Sequence, residues 1–338
     1  GYTALYANTT GANNVAIGYN SLAANTTAAS NTAVGYASLA ANTTGTNNIA
    51  IGFQALDANT TTSRNTAIGS NALGANDGGA ENVAIGYNTL DTNTTGNRNT
   101  SLGDASMDAN TTGSDNVAVG QQALTANTTA NHNTALGKLA LAANTTAHNN
   151  TAVGSSALGA NTTGTDNTAL GYGAGSANTT GQYSVFIGKE AGAANTSGTE
   201  HTFVGFLAGR YTTGSGIDYN TGIGSRALYA NSSREQNVGV GAYALAANTT
   251  ATQNVGIGYN ALGGNTTGAT NIAVGAYALD ANTTASNNTA IGGNALTTST
   301  TGAGNTAVGN GAGDNVTTGS NNSFLGLDTG YNLTTGDA

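Results

Sequence analysis

Hydrophobic and polar positions along this chain recur with a period of seventeen residues. An anchor glycine opens each copy, from Gly1 and Gly18 to Gly326, with one two-residue slip between Gly205 and Gly224. The 338 residues hold twenty copies of one unit, whose positions we number 1 to 17 from the glycine. A period kept this strictly predicts that every copy occupies the same environment, as one coil of a solenoid.

The order of residue types within a copy predicts short strands joined by turns. Positions 15 to 17, as in Val15-Ala16-Ile17, alternate branched and small side chains like a strand, and the Ala4-Leu5 pair predicts a second one. The Asn-Thr-Thr-Gly stretch at positions 8 to 11 suits a turn. We therefore expect an all-β fold, a parallel β-solenoid (β-roll) of about twenty 17-residue coils, with 1–338 as a single repeat array.

Two columns of the repeat vary together. Position 5 is Leu or Met in fifteen copies and Gly in the other five, whereas position 16, usually Ala, is Phe in three copies. Each Phe follows one of those glycines by eleven residues, which predicts that the two positions share a core slot. The predicted pairs are Gly175 with Phe186, Gly192 with Phe203, and Gly313 with Phe324. Gly209 lacks such a partner, and its coil carries the slip, which predicts an irregular inserted coil at 206–223.

The predicted strands are apolar or small on both faces. We expect one face to fill the narrow interior of the coil and the other, Ala-rich face to lie against another chain. Self-association would then give a trimer about a shared axis or end-to-end stacking. The alternative is a thin single-chain solenoid in which alanine fits a tight interior.

The Asn at position 8 satisfies the N-x-[Ser/Thr] acceptor rule for glycosylation in most copies. The candidate sites are Asn8, Asn25, Asn42, Asn59, Asn93, Asn110, Asn127, Asn144, Asn161, Asn178, Asn195, Asn231, Asn248, Asn265 and Asn282. Covalent glycans are one interpretation, and a hydrogen-bonded ladder of stacked Asn and Thr side chains is the other. A second Asn column at position 14, which mostly lacks the acceptor rule, favours the ladder.

Composition excludes several classes of function. The chain has no Cys, Pro or Trp and only 7% charged residues, so a disulfide or thiolate-metal framework is absent. A net charge of -9 without a basic stripe excludes nucleic acid as an expected partner, and no apolar run is long enough to span a membrane.

Candidate catalytic chemistry is sparse. His132, His148 and His201 fall in three different coils and are interpreted as surface histidines, and Asp77-Gly78-Gly79 does not repeat as a calcium-binding roll would. We therefore expect no enzyme, cofactor or metal site. Regular Thr rows are similar to those of ice-binding solenoids, although adjacent Thr residues on a strand would face opposite ways.

The repeated sequence Asn-[Thr/Val]-Ala-[Ile/Val]-Gly-x-x-[Ala/Ser]-Leu, as in 116–124 and 288–296, resembles the YadA-like head repeats of trimeric autotransporter adhesins. It is also similar to shaft repeats of phage tail fibres. The resemblance covers nearly the whole chain, with about three extra residues per coil. It implies a left-handed parallel β-roll, three chains around one axis, and display outside the cell.

The combined expectation is an extracellular or cell-surface structural fibre segment that associates with copies of itself. The first alternative is a surface adhesin or phage tail-fibre shaft that binds a receptor or a glycan. The second is an ice-binding solenoid.

Overall fold

The computed structural model describes residues 1–213, 219–232 and 236–336. They form two compact units, Gly1–Asp166 and Asn167–Ala338, which we call the N-terminal and C-terminal units. Among the described residues there is no helix, and each of the first nineteen coils contributes one three-residue strand at positions 15 to 17. Both units are parallel β-solenoids. The organisation of 1–338 as a single array stays a prediction, and residues 214–218 of the expected irregular coil lie outside the described residues.

The N-terminal unit contains nine strands that pair in sequence order. Each residue of a strand pairs in parallel with the residue seventeen positions later, as Val15 does with Thr32. The strands are β1 Val15–Ile17, β2 Thr32–Val34, β3 Ile49–Ile51, β4 Thr66–Ile68, β5 Val83–Ile85, β6 Thr100–Leu102, β7 Val117–Val119, β8 Thr134–Leu136 and β9 Thr151–Val153.

The C-terminal unit contains ten strands in the same arrangement. Between β12 and β13 the register changes, because Val204 pairs with Ile223, nineteen residues later, and the two-residue slip is absorbed without loss of strand pairing. The strands are β10 Thr168–Leu170, β11 Val185–Ile187, β12 Thr202–Val204, β13 Thr221–Ile223, β14 Val238–Val240, β15 Val255–Ile257, β16 Ile272–Val274, β17 Thr289–Ile291, β18 Thr306–Val308 and β19 Ser323–Leu325.

The predicted second strand at Ala4-Leu5 is wrong. In its place the chain makes a tight turn, in which Leu22 and Leu124 at position 5 have φ of 51° and 54°, values outside the range of a strand. The turn still joins neighbouring coils, since the Leu22 amide donates a hydrogen bond to the carbonyl of Ser38 at 3.0 Å. Position 5 is therefore a turn residue whose side chain points into the coil.

The anchor glycine is required by close contact between successive coils. Gly120 has φ of 132°, and a Cβ at this position would lie 2.6 Å from the carbonyl carbon of Gly137 in the next coil. Other residues rarely adopt such a φ, and any side chain here would force the coils apart. The strict recurrence of glycine thus follows from the coil-to-coil spacing.

The interior is filled by side chains from positions 4, 5 and 16, together with Asn at positions 8 and 14. Ala118, Ala123 and Leu124 are fully buried, and the same positions are buried in most other coils. The expectation that the Ala-rich face lies outside is wrong, because position 16 faces inward. The outward side chains of each strand are instead the larger ones at positions 15 and 17, as the burial pattern of β4 illustrates.

The position-16 phenylalanines take up space that leucines occupy elsewhere. The Phe324 ring lies 2.8 Å from where a Cβ of Gly313 would be, and it also blocks the Cβ site of Gly330 in the next coil. Phe186 likewise blocks the Cβ site of Gly192. The Phe324 ring therefore fills a slot bounded by position 5 of its own coil and of the following coil, and the Phe186 ring occupies the space at position 5 of the following coil. The pairing of Gly175 with Phe186 and of Gly192 with Phe203 stays a prediction.

The same geometry accounts for Gly209 and Gly222, which the eleven-residue spacing does not explain. Cβ atoms would lie 2.5 Å from the Phe203 ring at Gly209 and 3.1 Å from it at Gly222. Phe203 thus occupies the space of both glycines. Gly209 follows it by six residues, and Gly222 is at the equivalent position of the next coil. The contacts of Gly192, Gly209 and Gly330 pair each glycine with the Phe six residues before it.

We expect Gly192→Ala to destabilise the protein more than Gly173→Ala. Both glycines have φ near +60°, so each alanine adds about 1 kcal/mol of backbone strain. At Gly173 the new Cβ would lie 3.5 Å from Glu190 Cγ, whereas at Gly192 it would overlap the Phe186 ring. Overpacking should cost Gly192→Ala a further 1 to 3 kcal/mol, approximately.

Chemical denaturation of the two variants measures this difference. Adding Phe186→Leu to Gly192→Ala should recover part of the loss. Equal stability of the two single variants would contradict the shared slot.

Candidate functional site

The position-8 asparagines form a buried ladder along each unit. Asn127 Nδ2 donates to Asn110 Oδ1 at 2.7 Å in the preceding coil and to the Ala130 carbonyl at 3.2 Å in its own turn. Asn127 Oδ1 accepts from Asn144 Nδ2 at 3.2 Å. The side chains of these three asparagines have no exposed surface. The column therefore joins coil to coil and closes each turn at the same time.

The position-14 asparagines form a second column that meets the first. Asn116 Nδ2 donates to the Ala130 carbonyl at 2.8 Å, and Asn116 Oδ1 accepts from the backbone amide of Asn133 at 3.0 Å. The Ala130 carbonyl thus accepts one hydrogen bond from each column, which uses both of its lone pairs. In most of the described coils two buried amide columns converge on the position-11 carbonyl in this way, as they also do at Gly113.

This burial makes the ladder asparagines inaccessible as acceptors for N-glycosylation on the folded coil. A glycan attaches to Asn Nδ2, and in the ladder that atom is enclosed and donates two hydrogen bonds, as at Asn127. Asn8, in the first coil, is partly exposed, whereas the remaining fourteen candidate asparagines are fully buried. The geometry favours the ladder over the glycan row.

The two Thr residues of each turn differ in their contacts, because one bonds to the next coil and the other faces solvent. Position-9 hydroxyls donate to the carbonyl of the equivalent residue in the next coil, as Thr111 Oγ1 does to Thr128 at 3.0 Å. Position-10 residues such as Thr112 and Thr129 are exposed. The first Thr is therefore part of the coil-to-coil hydrogen bonding, and the second presents a hydroxyl and a methyl group to water.

An extended apolar surface is formed by the outward face of the strands, which we call the outer sheet face and define by positions 15 and 17. Position 17 is Ile, Val or Leu in all nineteen strands, and position 15 is Val, Ile or Thr in every strand except β19. Neither position carries a charge. Ile17 is 59% exposed and Leu136 is 44% exposed. An uncharged aliphatic stripe thus runs along the sheet of each unit.

A stack of aromatic rings borders this face in the first coils of the N-terminal unit. Tyr19 and Tyr36 at position 2 lie 5.3 Å apart with an angle of 11° between their planes, and Tyr36 stacks on Phe53 in the same way. The rings cover each other's faces and expose their edges. The stack therefore extends the apolar surface without offering a free ring face.

Aspartates at position 6 form a partly buried group on the N-terminal unit. Burial raises the pKa of Asp57, Asp91 and Asp108, and for Asp91 the nearby charges of Asp108 and Asp57 raise it further. The Asp91 carboxylate reaches over Gly74, where an added Cβ would lie 2.5 Å from Asp91 Oδ1. These carboxylates lie near one another, and no positively charged group contributes to the shifts of their pKa values.

Charges at position 13 pair between coils. Arg64 contacts Glu81 at 2.5 Å, and Arg98 makes a two-point contact with Asp115 at 2.6 and 2.9 Å. Such exposed ion pairs contribute little to stability. They lie on the solvated side of the coil, as expected of variable positions.

The three histidines do not meet. His148 Nδ1 accepts a hydrogen bond from the Asn131 backbone amide at 2.9 Å, and His132 is exposed. The interpretation of His201 as a surface residue is wrong, because it is fully buried at position 14 and stacks on Phe203 with centroids 4.9 Å apart. His201 therefore occupies an asparagine place in the interior column.

The described part of the chain contains no group of three His, Cys, Asp or Glu side chains placed to hold a metal ion. None of its described segments is a helix that could cross a membrane. No protein-family model matches the chain, and no curated protein matches it.

Replacing Asn127 by Ala should destabilise the N-terminal unit strongly. The change leaves Asn144 Nδ2 and Asn110 Oδ1 without their ladder partner in a buried site, which we expect to cost about 2 to 4 kcal/mol. Thr129→Ala in the same turn is the control, because that side chain is exposed and should change stability little. Denaturant unfolding of both variants measures the difference, and similar losses would contradict a role for the ladder.

The raised pKa of Asp91 predicts a pH dependence of stability. The folded state favours the protonated carboxyl, so its contribution is complete below the ordinary pKa of 3.8 and is lost as pH rises through the higher folded pKa. Asp91→Asn should therefore raise the melting temperature at pH 7 and weaken the decline between acid and neutral pH. Asp104→Asn removes the same charge from an exposed position and serves as control.

Thermal melts at pH 3 to 7 test this expectation. An Asp91→Asn variant that melts below the wild type at pH 7 would contradict it.

Proposed function

We propose that this chain is a structural segment of an extracellular fibre, in which the outer sheet face packs against further copies of the chain. The observation that carries this proposal is position 17, which is aliphatic in every strand although it faces outward. Strand positions that face solvent are usually polar, and parallel sheets are normally covered on both faces. The face has the composition of one that becomes buried.

The size of the surface supports a stable contact. If each strand exposes on the order of 100 Å² of outward side chain, nine strands offer about 900 Å², comparable with the roughly 800 Å² per partner of a standard interface. This surface is present separately on the sheet of each unit.

A second copy fits this surface better than an unrelated partner does. The face repeats the same two columns in every coil, so its natural complement repeats at the same spacing and also lacks charge. Another copy supplies both properties without any further requirement. Three copies around a common axis, as the resemblance to trimeric adhesin heads implies, is one arrangement that covers the face completely.

The hydrogen bonds of the interior support a mechanical role for the segment. Buried amide ladders, position-9 Thr bonds and strand pairing all run from coil to coil, so neighbouring coils are held by several parallel hydrogen bonds. Coil-to-coil hydrogen bonds of this kind make the segment long and stiff rather than forming a binding pocket. It suits a segment displayed at the cell surface more than an enzyme.

Ice binding is the weaker alternative. On the outer sheet face Thr occupies position 15 in ten strands and alternates irregularly with Val and Ile, whereas position 17 has no Thr. The position-9 hydroxyls already donate to backbone carbonyls. The exposed Thr residues at position 10, such as Thr112 and Thr129, lie on the turns outside the strands, so no complete row of free Thr hydroxyls runs along the described strands.

Charges placed on the outer sheet face should prevent assembly. We expect Val119→Lys combined with Leu136→Lys to convert the native oligomer to a monomer, because two unpaired ammonium groups would be buried in the contact. Thr112→Lys combined with Thr129→Lys adds the same charge to exposed turns of the same two coils and should leave assembly unchanged. Sedimentation velocity measures the state of each variant, and circular dichroism confirms that each is folded.

A wild-type chain that remains monomeric at high concentration would contradict the proposal. Equal dissociation of the two Lys variants would do so as well. Antibody labelling of intact cells with electron microscopy tests the surface location, and signal only after permeabilisation would count against it.

A further inference from the structure

Positive charge and exposed aromatic rings are concentrated in one stretch of the C-terminal unit. The whole chain has only seven Lys and Arg residues. Three of them lie in consecutive coils, on the side formed by positions 2, 3, 6 and 7. We call this group the basic-aromatic cluster and define it as Lys189, Arg210 and Arg226 with Tyr172, Phe206, Tyr211, Tyr229 and Tyr243.

Aromatic rings hold each cation in place. Lys189 Nζ lies 5.9 Å from the centre of the Tyr172 ring and 6.0 Å from that of Phe206. The Arg226 guanidinium lies 5.9 Å from Phe206 and 5.6 Å from Tyr243. At exposed sites such contacts are worth about 0.5 to 1 kcal/mol each. The cations are therefore positioned before any ligand arrives.

The cluster carries an excess of positive charge in an otherwise acidic protein. Among the described residues Glu190 is the carboxylate that pairs with these cations, at 2.7 Å from Arg210 and 4.0 Å from Lys189. Arg226 donates from Nη1 to the Tyr243 hydroxyl at 2.9 Å and has no carboxylate partner in the described chain. Arg226 thus keeps hydrogen-bond donors available on a fixed guanidinium.

The aromatic members are accessible as well. Tyr172 is 59% exposed and Phe206 is 43% exposed. Tyr211 meets Tyr229 edge to face, with planes at 80° and centroids 5.0 Å apart, so the two rings do not stack face on face. The stacked Tyr19, Tyr36 and Phe53 of the N-terminal unit differ in this respect, since their faces cover one another.

We propose that the basic-aromatic cluster binds an acidic polysaccharide, a sugar chain that carries carboxylate or sulfate groups. A guanidinium binds such oxyanions through paired N–H donors, and aromatic rings pack against the apolar C–H faces of sugar rings. The three cations come from successive coils, and two coil steps of about 4.8 Å extend the group over about 10 Å along the solenoid. A group of this extent fits a short segment of an extended polymer lying across an open surface.

Nucleic acid fits the cluster less well. Polyphosphate binding depends on many cations along a backbone, and here three cations stand in a chain of net charge -9. A membrane surface likewise favours a larger basic patch. A polymer with spaced charges and apolar ring faces matches three cations set among aromatic rings.

The binding test uses the full chain with three glycans of different charge. Polygalacturonate supplies carboxylates, dextran sulfate supplies sulfates, and dextran is the neutral control. We expect one or both acidic polymers to bind at moderate salt and dextran not to bind. Biolayer interferometry gives the dissociation constants, and the stronger polymer identifies the acidic group.

Matched variants locate the site. Arg226→Gln and Lys189→Gln should each weaken binding about ten-fold, because each removes a charge-assisted hydrogen bond. Lys138→Gln removes the same charge at position 2 of an N-terminal coil and should leave binding unchanged. All three side chains lie at the surface, and equal melting temperatures verify that the variants are folded.

Three results would overturn the proposal. The first is no binding of either acidic polymer, and the second is an equal effect of Lys138→Gln. The third is binding of a single-stranded DNA oligonucleotide as tight as that of the glycan. The outer sheet face takes no part in the cluster, so the assembly experiment and this one fail independently.

Discussion

Hydrogen bonds of buried asparagine amides between successive coils are the interaction on which this structure depends. The interior of a seventeen-residue coil is narrow, so polar atoms of its turns are buried together with the apolar side chains. Asn127 and Asn116 solve this by donating to the same carbonyl, that of Ala130, from two directions. Because an unpaired buried amide is costly, one misplaced coil would leave partners unpaired in both neighbours. The strict period of the sequence follows from this constraint.

Coil spacing then limits every other position. The anchor glycine allows backbone contact between coils at one corner, as at Gly120 and Gly137. Alanine at position 16 and leucine at position 5 fill what remains of the interior. Where Phe186 or Phe203 enters, glycine must appear at position 5, because interiors tolerate neither voids nor overlap. The coils that contain these phenylalanines therefore vary at positions 5 and 16 through coordinated exchanges.

Much of the architecture could be predicted from the sequence, and the failures have physical causes. Val117-Ala118-Val119 indicates a strand by its branched residues, and the unbroken period indicates parallel stacking. Ala4-Leu5 has the same apolar character, but the positive φ of position 5 depends on how the whole coil closes. The inward direction of Ala118 could not be derived either, since alternation fixes two faces without saying which one is inside. The buried state of His201 could not be predicted from its residue type, because its column otherwise holds the small polar residues Asn and Ser.

Repetition and irregularity serve different kinds of recognition. A face that is the same in every coil presents equivalent contacts at each step, so it suits extended association but cannot mark one place on the chain. A binding site that occurs at one place on the chain requires residues that depart from the repeat. Lys189, Arg210 and Arg226 are such departures, and they lie in or next to the coils where Phe186 and Phe203 alter the core. Interior and surface thus change together in one stretch of the C-terminal unit, and this coincidence makes that stretch distinct from all others along the chain.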